Sequence, residues 1–580
     1  MRNSRNIIRL AGVVSLLAYL AISVLSQRFG AETELIGRPI LVVLSLFAVA
    51  FVCYCVAARF VFQTETSYNW REMFLWGLVF RAVLWPSLPI QEVDLYRYVW
   101  DGAVSRAGVD PYQFSPQQVV SAARGPVSAV RDPDLLTLVN MYQDRDGLRQ
   151  IADKVHFAFL TTPYPPVSQA VFSFAHIFCA TDASEHAFTL TFKAVVLLFD
   201  IATALVLVAM LRFLGYSQSV ALLYWWCPLV IKEFANSGHL DSIAVFFVTA
   251  SFFFLLRACF YSVSAQAKLE DSDAAPPRSP FGNSLASAVL LAFGVGAKLF
   301  PLVLAPLWAV TLFRRKKCEW RLPVVAFAAT AAVVCWPMFA RTEFVKSYLE
   351  GAAIGEGSAV DTRALQPQAD TPSGIEAFYR YWEINDLLFL FLVENLKPES
   401  QVEGQPAVWF VITSDTWRAS THKTWHKRLG IAKNEVAFVL TRRGLVGVYL
   451  IVVAGVCFFV FRSPTPQNIL TGGFLTIAWL WFLGPAQNPW YWTWAIPFLP
   501  FVRNRVWIAV SGLSFLYYLR FWFEGHFAED TVLWTSYTGV AFFDFIVPWI
   551  EFGPWFLVLL IAWIRGRRFK KLGNRIGEQA

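Results

Sequence analysis

The chain is 580 residues long, 56% hydrophobic and only 16% charged, with a mean hydropathy of +0.48 and a formal net charge of +8. Apolar residues gathered into long runs at that density exclude an ordinary soluble domain and specify an integral membrane protein. The excess Lys and Arg sit in short loops and at the two ends, so they imply no nucleic-acid partner, and the eight Cys form neither a disulfide framework nor a metal-ligating spacing.

In chain order, Ile7–Ser26 is the first apolar segment. Arg2 and Arg5 precede it and Arg9 lies near its start, which predicts a cytoplasmic N-terminus. The segment carries no small-residue cleavage site and reads as an anchor. Pro39–Phe62 returns, and Met73–Ile90 crosses outward. The polar stretch 91–165 is then a first outer loop that opens with a juxtamembrane helix. Pro165–Phe178 is apolar but short, which suits an interfacial helix. Phe188–Phe213 crosses inward, Ala221–Asn236 outward and Asp241–Phe260 back.

The segment 261–282, with KLEDSDAAPPRSP at its heart, reads as a flexible cytoplasmic loop. Ser284–Ala297 and Phe300–Phe313 form a tight pair around Lys298 and close on Arg314, Arg315, Lys316 and Lys317. Leu322–Phe339 leads to a second large outer loop, 340–443, with an interfacial helix at Leu387–Leu396. The remaining spans are Leu445–Phe461, Gln467–Leu483, Trp490–Phe501, Val506–Phe523 and Phe552–Ile564. The last ends on Arg565, Arg567, Arg568, Lys570 and Lys571, which predicts a cytoplasmic C-terminus. The expected fold is one all-α integral membrane domain over 1–580, with about 12–14 transmembrane helices and interfacial helices in the large outer loops.

This topology collects polar groups at the outer helix ends. Asp94, Arg97, Tyr98 and Asp101 in DLYRYVWD are spaced i, i+3, i+4 and i+7, so a helix places them on one face. Lys232, Glu233, Asn236, His239 and Asp241 fall in the turn IKEFANSGHLD, and Lys298 caps the tight pair in GAKLFP. Tyr164, Pro165 and Pro166 end the first outer loop. Trp382, Glu383, Asn385 and Asp386 end the run YRYWEIND, and Asn488, Pro489, Trp490 and Tyr491 open AQNPWYWTW. Each has an ordinary structural role to compete with. His239 suits a polar turn, Lys298 snorkelling to headgroups, NPWY an aromatic belt, and Lys193 with Asp200 a pair inside the bundle.

Their convergence on one side points to chemistry. A carboxylate takes a proton from a hydroxyl acceptor, while Arg and Lys stabilise the charge of a departing phosphate. The sequence has no Gly-rich phosphate loop, no Ser/His nucleophile pattern and no dinucleotide fingerprint. A nucleotide donor belongs to the cytoplasmic side; a lipid-linked phosphate donor reaches the outer one.

The segments DLYRYVWDG…GVDPYQFSP, PYPPVSQAVF, IKEFANSGHLD, GAKLFPLVLAPL and NPWYWTWAIPFLP resemble, in that order, the GT-C membrane glycosyltransferases. The nearest resemblance is to bacterial mannosyltransferase-like members that use polyprenyl-phosphate sugars. The resemblance runs from Asp94 to Pro500 and implies transfer of a hexose, mannose, from a polyprenyl-phosphate donor to a glycan or glycolipid acceptor outside the cytoplasm, at the cell (inner) membrane.

By that resemblance Asp94 matches the family's general base, and Arg97, Tyr98 and Asp101 continue its motif. His239, Asp241 and Lys298 match donor-phosphate ligands, and Arg97 is expected with His239 and Lys298 to hold the departing lipid phosphate, with Tyr164, Glu233, Trp382, Glu383 and Asn488 as further substrate-binding positions. No cofactor is expected, and the sequence shows no dedicated metal ligands. The family's Asn before Pro-Tyr is Asp110 here, and nothing beyond Pro500 matches. The rival reading is a transporter or lipid flippase. That class places ionisable groups at the bilayer midplane of repeated halves, whereas these gather at one face and no repeat is evident.

Overall fold

Backbone polar groups inside a bilayer find no water, so long apolar runs fold as helices. The computed structural model describes residues 2–30, 32–63, 68–266, 280–314, 320–341, 374, 382–398 and 408–577. The principal helices are α1 (Arg2–Leu25), α2 (Ile40–Gln63), α3 (Trp70–Leu84), α4 (Asp94–Arg106), α5 (Pro166–Ala175), α6 (Glu185–Phe213) and α7 (Asp241–Gln266). They continue with α8 (Pro280–Ala297), α9 (Ala305–Arg314), α10 (Arg321–Arg341), α11 (Val436–Arg462), α12 (Pro466–Leu483) and α13 (Gly539–Gly577). The described residues hold two isolated bridges and no named strand.

Among the described residues, eight stretches are long and apolar enough to cross a membrane: Ser4–Phe29, Ile40–Phe62, Glu185–Phe213, Asp241–Phe260, Arg321–Phe339, Lys433–Arg462, Arg505–His526 and Gly539–Ala562. The protein is an all-α, multi-pass membrane protein. Most of the expected cytoplasmic loop (267–279), Arg315, Lys316 and Lys317, and 342–373, 375–381 and 399–407 of the second outer loop lie outside the described residues.

Two expected spans are corrected. Ala221–Asn236 is not one helix but two short turns, Leu222–Trp225 and Pro228–Ile231, followed by a π-turn over Lys232–Asn236. Trp490–Phe501 likewise divides into Pro489–Trp492 and a 3₁₀ stretch Ile496–Phe501. Prolines at 228, 489, 497 and 500 remove the N–H groups that a continuous helix needs. Every residue from Ala221 to Val245 is buried, so protein and not lipid surrounds this irregular backbone. The predicted Met73–Ile90 span is shorter too: α3 stops at Leu84, just before Pro86 and Pro89.

The interior is pinned by an ion pair that sequence spacing did not indicate. Arg81 Nε lies 2.5 Å from Asp200 Oδ2, with the two side chains 2% and 0% exposed. Tyr224 donates to Asp200 Oδ1 at 2.7 Å, and the guanidinium donates to Trp225 O at 2.8 Å and Gly77 O at 3.1 Å. The expected Lys193–Asp200 pair does not form, because seven residues along a helix separate them by about 10 Å. Lys193 Nζ instead donates to Ser87 O at 2.7 Å and Leu84 O at 3.4 Å, closing the end of α3.

Candidate active site

Asp94 is the first residue of α4, where a carboxylate complements the helix dipole. The helix is not a solvated cap: every residue from Leu95 to Val104 is buried, and Asp94 alone at its start is half-buried. A Cβ on Gly102 would fall 2.7 Å from Phe172 O, so only glycine lets α5 approach so closely. Tyr164 donates to Asp94 Oδ2 at 3.4 Å. Burial, and after it the charge of Asp94, hold the Tyr164 phenol well above its ordinary range. Tyr112 donates to Tyr164 O at 2.7 Å, and Asp110 Oδ1 accepts from Tyr112 N at 2.9 Å. Asp110 thus makes the turn bond that an Asn there would also make.

The rest of the predicted α4 face is occupied internally. Arg97 Nε lies 3.1 Å from Asp101 Oδ1, and Arg97 Nη2 donates to Leu160 O at 2.6 Å. Gln169 donates to Asp101 Oδ2 at 3.3 Å. Burial pushes the Asp101 carboxyl up, and Arg97 pulls it back. Tyr98 stacks on Phe172 with centroids 4.9 Å apart and meets Tyr164 edge-on at 5.0 Å. Arg97, Tyr98 and Asp101 therefore fix α4 in place, and Asp94 is the member of the face that reaches the half-open edge.

The turn IKEFANSGHLD is tied to the segment entering α4. Asn236 donates to Ser87 Oγ and Leu88 O, each at 2.7 Å, and accepts from Ile90 N at 3.0 Å. Gly238 holds φ +69°, and a Cβ there would come 2.9 Å from Lys193 Cγ and 3.2 Å from Leu95 Cδ1. Glu233 Oε1 accepts from Tyr518 at 2.7 Å, and its Oε2 lies 2.9 Å from His239 Nδ1 and 3.3 Å from Lys232 Nζ. Lys232 also contacts the Tyr518 hydroxyl. The His239 ring stacks on Trp490, centroids 4.4 Å apart.

Asp241 opens α7. Its Oδ1 accepts from Lys298 Nζ at 2.7 Å and from Trp494 Nε1 at 2.5 Å. The ammonium lies 4.5 Å from the Tyr491 ring centroid and 5.3 Å from that of Trp494. Burial, and after it the charges of Asp241 and Asp94, hold the Tyr491 phenol well above its ordinary range. Asn488 is the N-cap of Pro489–Trp492, makes no side-chain cap bond, and accepts from Trp481 Nε1 through its carbonyl at 3.1 Å.

Trp382 and Glu383 join the same edge through backbone pairing. Ile384 N donates to Pro485 O at 2.9 Å, and Gln487 N to Ile384 O at 3.0 Å, just before Asn488. Trp382 meets Phe157 edge-on at 4.8 Å. Burial and the nearby Glu394 push the half-buried Glu383 carboxyl up to about 7, against the opposing charge of Lys397.

Trp494, Tyr518 and Glu92 were not anticipated. Glu92, whose carboxyl burial holds well above its ordinary range, stands two residues before Asp94 and was legible as part of that motif. Tyr518 sits in SFLYYLR, a run with no polar signature. Among the described residues no three His, Cys, Asp or Glu side chains form a metal-ligating group.

Residues 10–314 match the family described as MptA_B family, alpha-(1->6)-mannopyranosyltransferase, N-terminal domain. That match takes in Asp94, Tyr164, Glu233, His239, Asp241 and Lys298, and it ends before Trp490, Trp494 and Tyr518. No curated protein and no solved structure matches the chain.

Proposed function

The chain belongs to the alpha-(1->6)-mannopyranosyltransferase family, and on that premise we propose that it moves a mannosyl group from a polyprenyl-phosphate donor to a glycan or glycolipid on the non-cytoplasmic side of the membrane. The carrying observation is the contrast at one edge of the site. Asp94 is half-buried beside Tyr164, and Lys298 keeps 17% of its side chain exposed, while Asp241 and Glu233 are sealed. A carboxylate and a cation accessible together suit an acceptor hydroxyl and a departing phosphate.

In this reading the acceptor oxygen bonds to the anomeric carbon as the bond from that carbon to the phosphate oxygen breaks. The hydroxyl proton passes to Asp94, and the electron pair leaves with the phosphate, whose charge Lys298 meets. Arg97 contributes by holding α4, since Asp101 and Leu160 O already engage it. The basic residues at the opposite helix ends support the outward side. A transport role is less well supported, because Arg81, Asp200 and Lys193 inside the bundle are engaged by protein partners.

The test is transfer in vesicles that hold the purified protein and polyprenyl-phosphate mannose. Release of one polyprenyl phosphate per mannosyl product is expected. Transfer from a nucleotide-linked mannose, with none from the lipid donor, would overturn the reading.

A further inference from the structure

Among the buried polar atoms of this site without a protein partner are Nε2 of His239 and Oδ2 of Asp241. Both residues are 0% exposed, so each missing bond is an uncompensated cost unless an ordered water or a ligand supplies it. The two atoms stand on one turn, two residues apart. His239 stacks on Trp490 and Asp241 bonds to Trp494, so both side chains engage the same 490–494 segment.

The protonation of His239 follows from its neighbours. Glu233 accepts from Tyr518 and faces the ammonium of Lys232, so it is a carboxylate and has no hydrogen to give to Nδ1. The hydrogen between them must belong to the imidazole. Lys232 balances Glu233 and Lys298 balances Asp241, while burial holds the neighbouring Glu92 carboxyl well above its ordinary range, so that it adds no further negative charge. A further proton on His239 would leave an unbalanced positive charge in a sealed cluster, which burial opposes. These contacts favour a ring with its hydrogen on Nδ1, which leaves Nε2 to present a lone pair.

A phosphate diester has no hydrogen to offer that lone pair. A sugar ring has several hydroxyls. We propose that His239 Nε2 and Asp241 Oδ2 bind hydroxyl groups of the transferred sugar, and that Glu233, fixed by Tyr518 and Lys232, is the positioning residue that sets the His239 tautomer. This revises the expectation that His239 holds the donor phosphate. It rests on the mannosyl-transfer reading for the identity of the sugar, and not for the tautomer. It also explains why the site needs the second half of the chain: Trp490, Trp494 and Tyr518 all lie beyond the matched region.

The experiment has two arms on the full-length protein. In the first, ¹⁵N-histidine labelling reports the ring nitrogens, with His239 assigned among the seven His by difference against His239→Gln. A neutral Nδ1–H signature is expected. It should shift toward Nε2–H in Glu233→Gln, whose oxygen keeps the Tyr518 bond and whose amide NH2 then replaces the Oε2 acceptor opposite Nδ1. An imidazolium or an Nε2–H signature in the wild type overturns the proposal.

The second arm compares polyprenyl-phosphate mannose with its set of mono-deoxy analogues. The wild type should reject at least one analogue by about 10- to 100-fold. His239→Phe keeps the stacking on Trp490 and should erase that penalty, while His239→Gln, which keeps an acceptor oxygen, should restore part of it. Binding of polyprenyl phosphate alone should be unchanged in both variants. Weakened binding of polyprenyl phosphate with the deoxy penalties intact overturns the proposal. Absence of any transfer from the mannosyl donor by the wild type defeats the donor reading instead, and the tautomer arm still decides the present one.

Discussion

Lys298 Nζ sits 2.7 Å from Asp241 Oδ1, and of this pair the carboxylate is fully sealed while the ammonium keeps 17% of its side chain exposed. A snorkelling lysine would hold its charge in the headgroups. This one spans from a buried acid to the open edge, so it closes a buried ion pair and still keeps part of its side chain accessible.

Lys298→Ala should therefore do two things. It leaves a buried carboxylate without its counter-charge, which typically costs about 3–5 kcal/mol, and it removes the cation available to a phosphate. The double variant Lys298→Met with Asp241→Asn should recover thermal stability but not donor affinity. Full recovery of both would show that neither Lys298 nor Asp241 contacts the donor.

Asp94 and Asp101 share a helix face and should respond in opposite ways. Asp94→Asn removes the proposed base at a half-buried position held by one 3.4 Å bond. Transfer should fall on the order of 10²–10⁴ with the melting temperature nearly constant. Asp101→Asn strands the buried Arg97 charge and should destabilise by about 3–5 kcal/mol. Wild-type transfer by a folded Asp94→Asn protein would remove Asp94 from the mechanism.

Gly77 should tolerate no side chain. A Cβ there would lie 2.0 Å from Trp225 Nε1, and Trp225 also donates to Phe74 O at 2.9 Å beneath the Arg81 guanidinium. Overpacking of this kind costs about 1–3 kcal/mol or more. Gly77→Ala should lower expression and thermal stability, and a Trp225→Phe background should relieve part of the loss.

Stability should depend on pH through Glu383. Its carboxyl is raised from 4.5 to about 7, so between these values the folded state binds a proton that the unfolded state has released. The stabilisation is fully present below 4.5 and is lost as pH rises through 7. Asp386, raised by burial and by Glu383, acts in the same direction. Thermal melts of Glu383→Gln from pH 4 to 8 should show a shallower decline than the wild type across that window. Parallel curves would contradict the assignment.

The side of the membrane is directly testable. Ser121 is exposed on the short helix Pro116–Arg124 of the first large loop. Ser121→Cys should react with an impermeant thiol reagent in intact cells, above the background of the native cysteines. Reaction only in inverted vesicles would reverse the topology.

Hydropathy alone determined that this chain folds as membrane helices, because the pattern is local: a run of apolar residues either can or cannot hide its own backbone in lipid. The helix beginning at Asp94, the tight pair around Lys298 and the polar turn before Asp241 were legible for the same reason, since helical spacing relates residues within a few turns. The partners of those residues were not. Arg81 meets Asp200 across 119 positions, and Tyr518 meets Glu233 across 285. Periodicity cannot report such distances, so spacing suggested Lys193 for Asp200 where the packed structure supplies Arg81. The breaks at Ala221–Asn236 and Trp490–Phe501 belong to tertiary structure as well. Apolar composition made both look like spans, but their backbone is irregular and enclosed by protein, which brings Glu233, His239, Trp490 and Trp494 to one place. Sequence located a set of polar groups at the helix ends, and packing decided which of them are sealed in pairs and which, Asp94 and Lys298, keep an accessible edge.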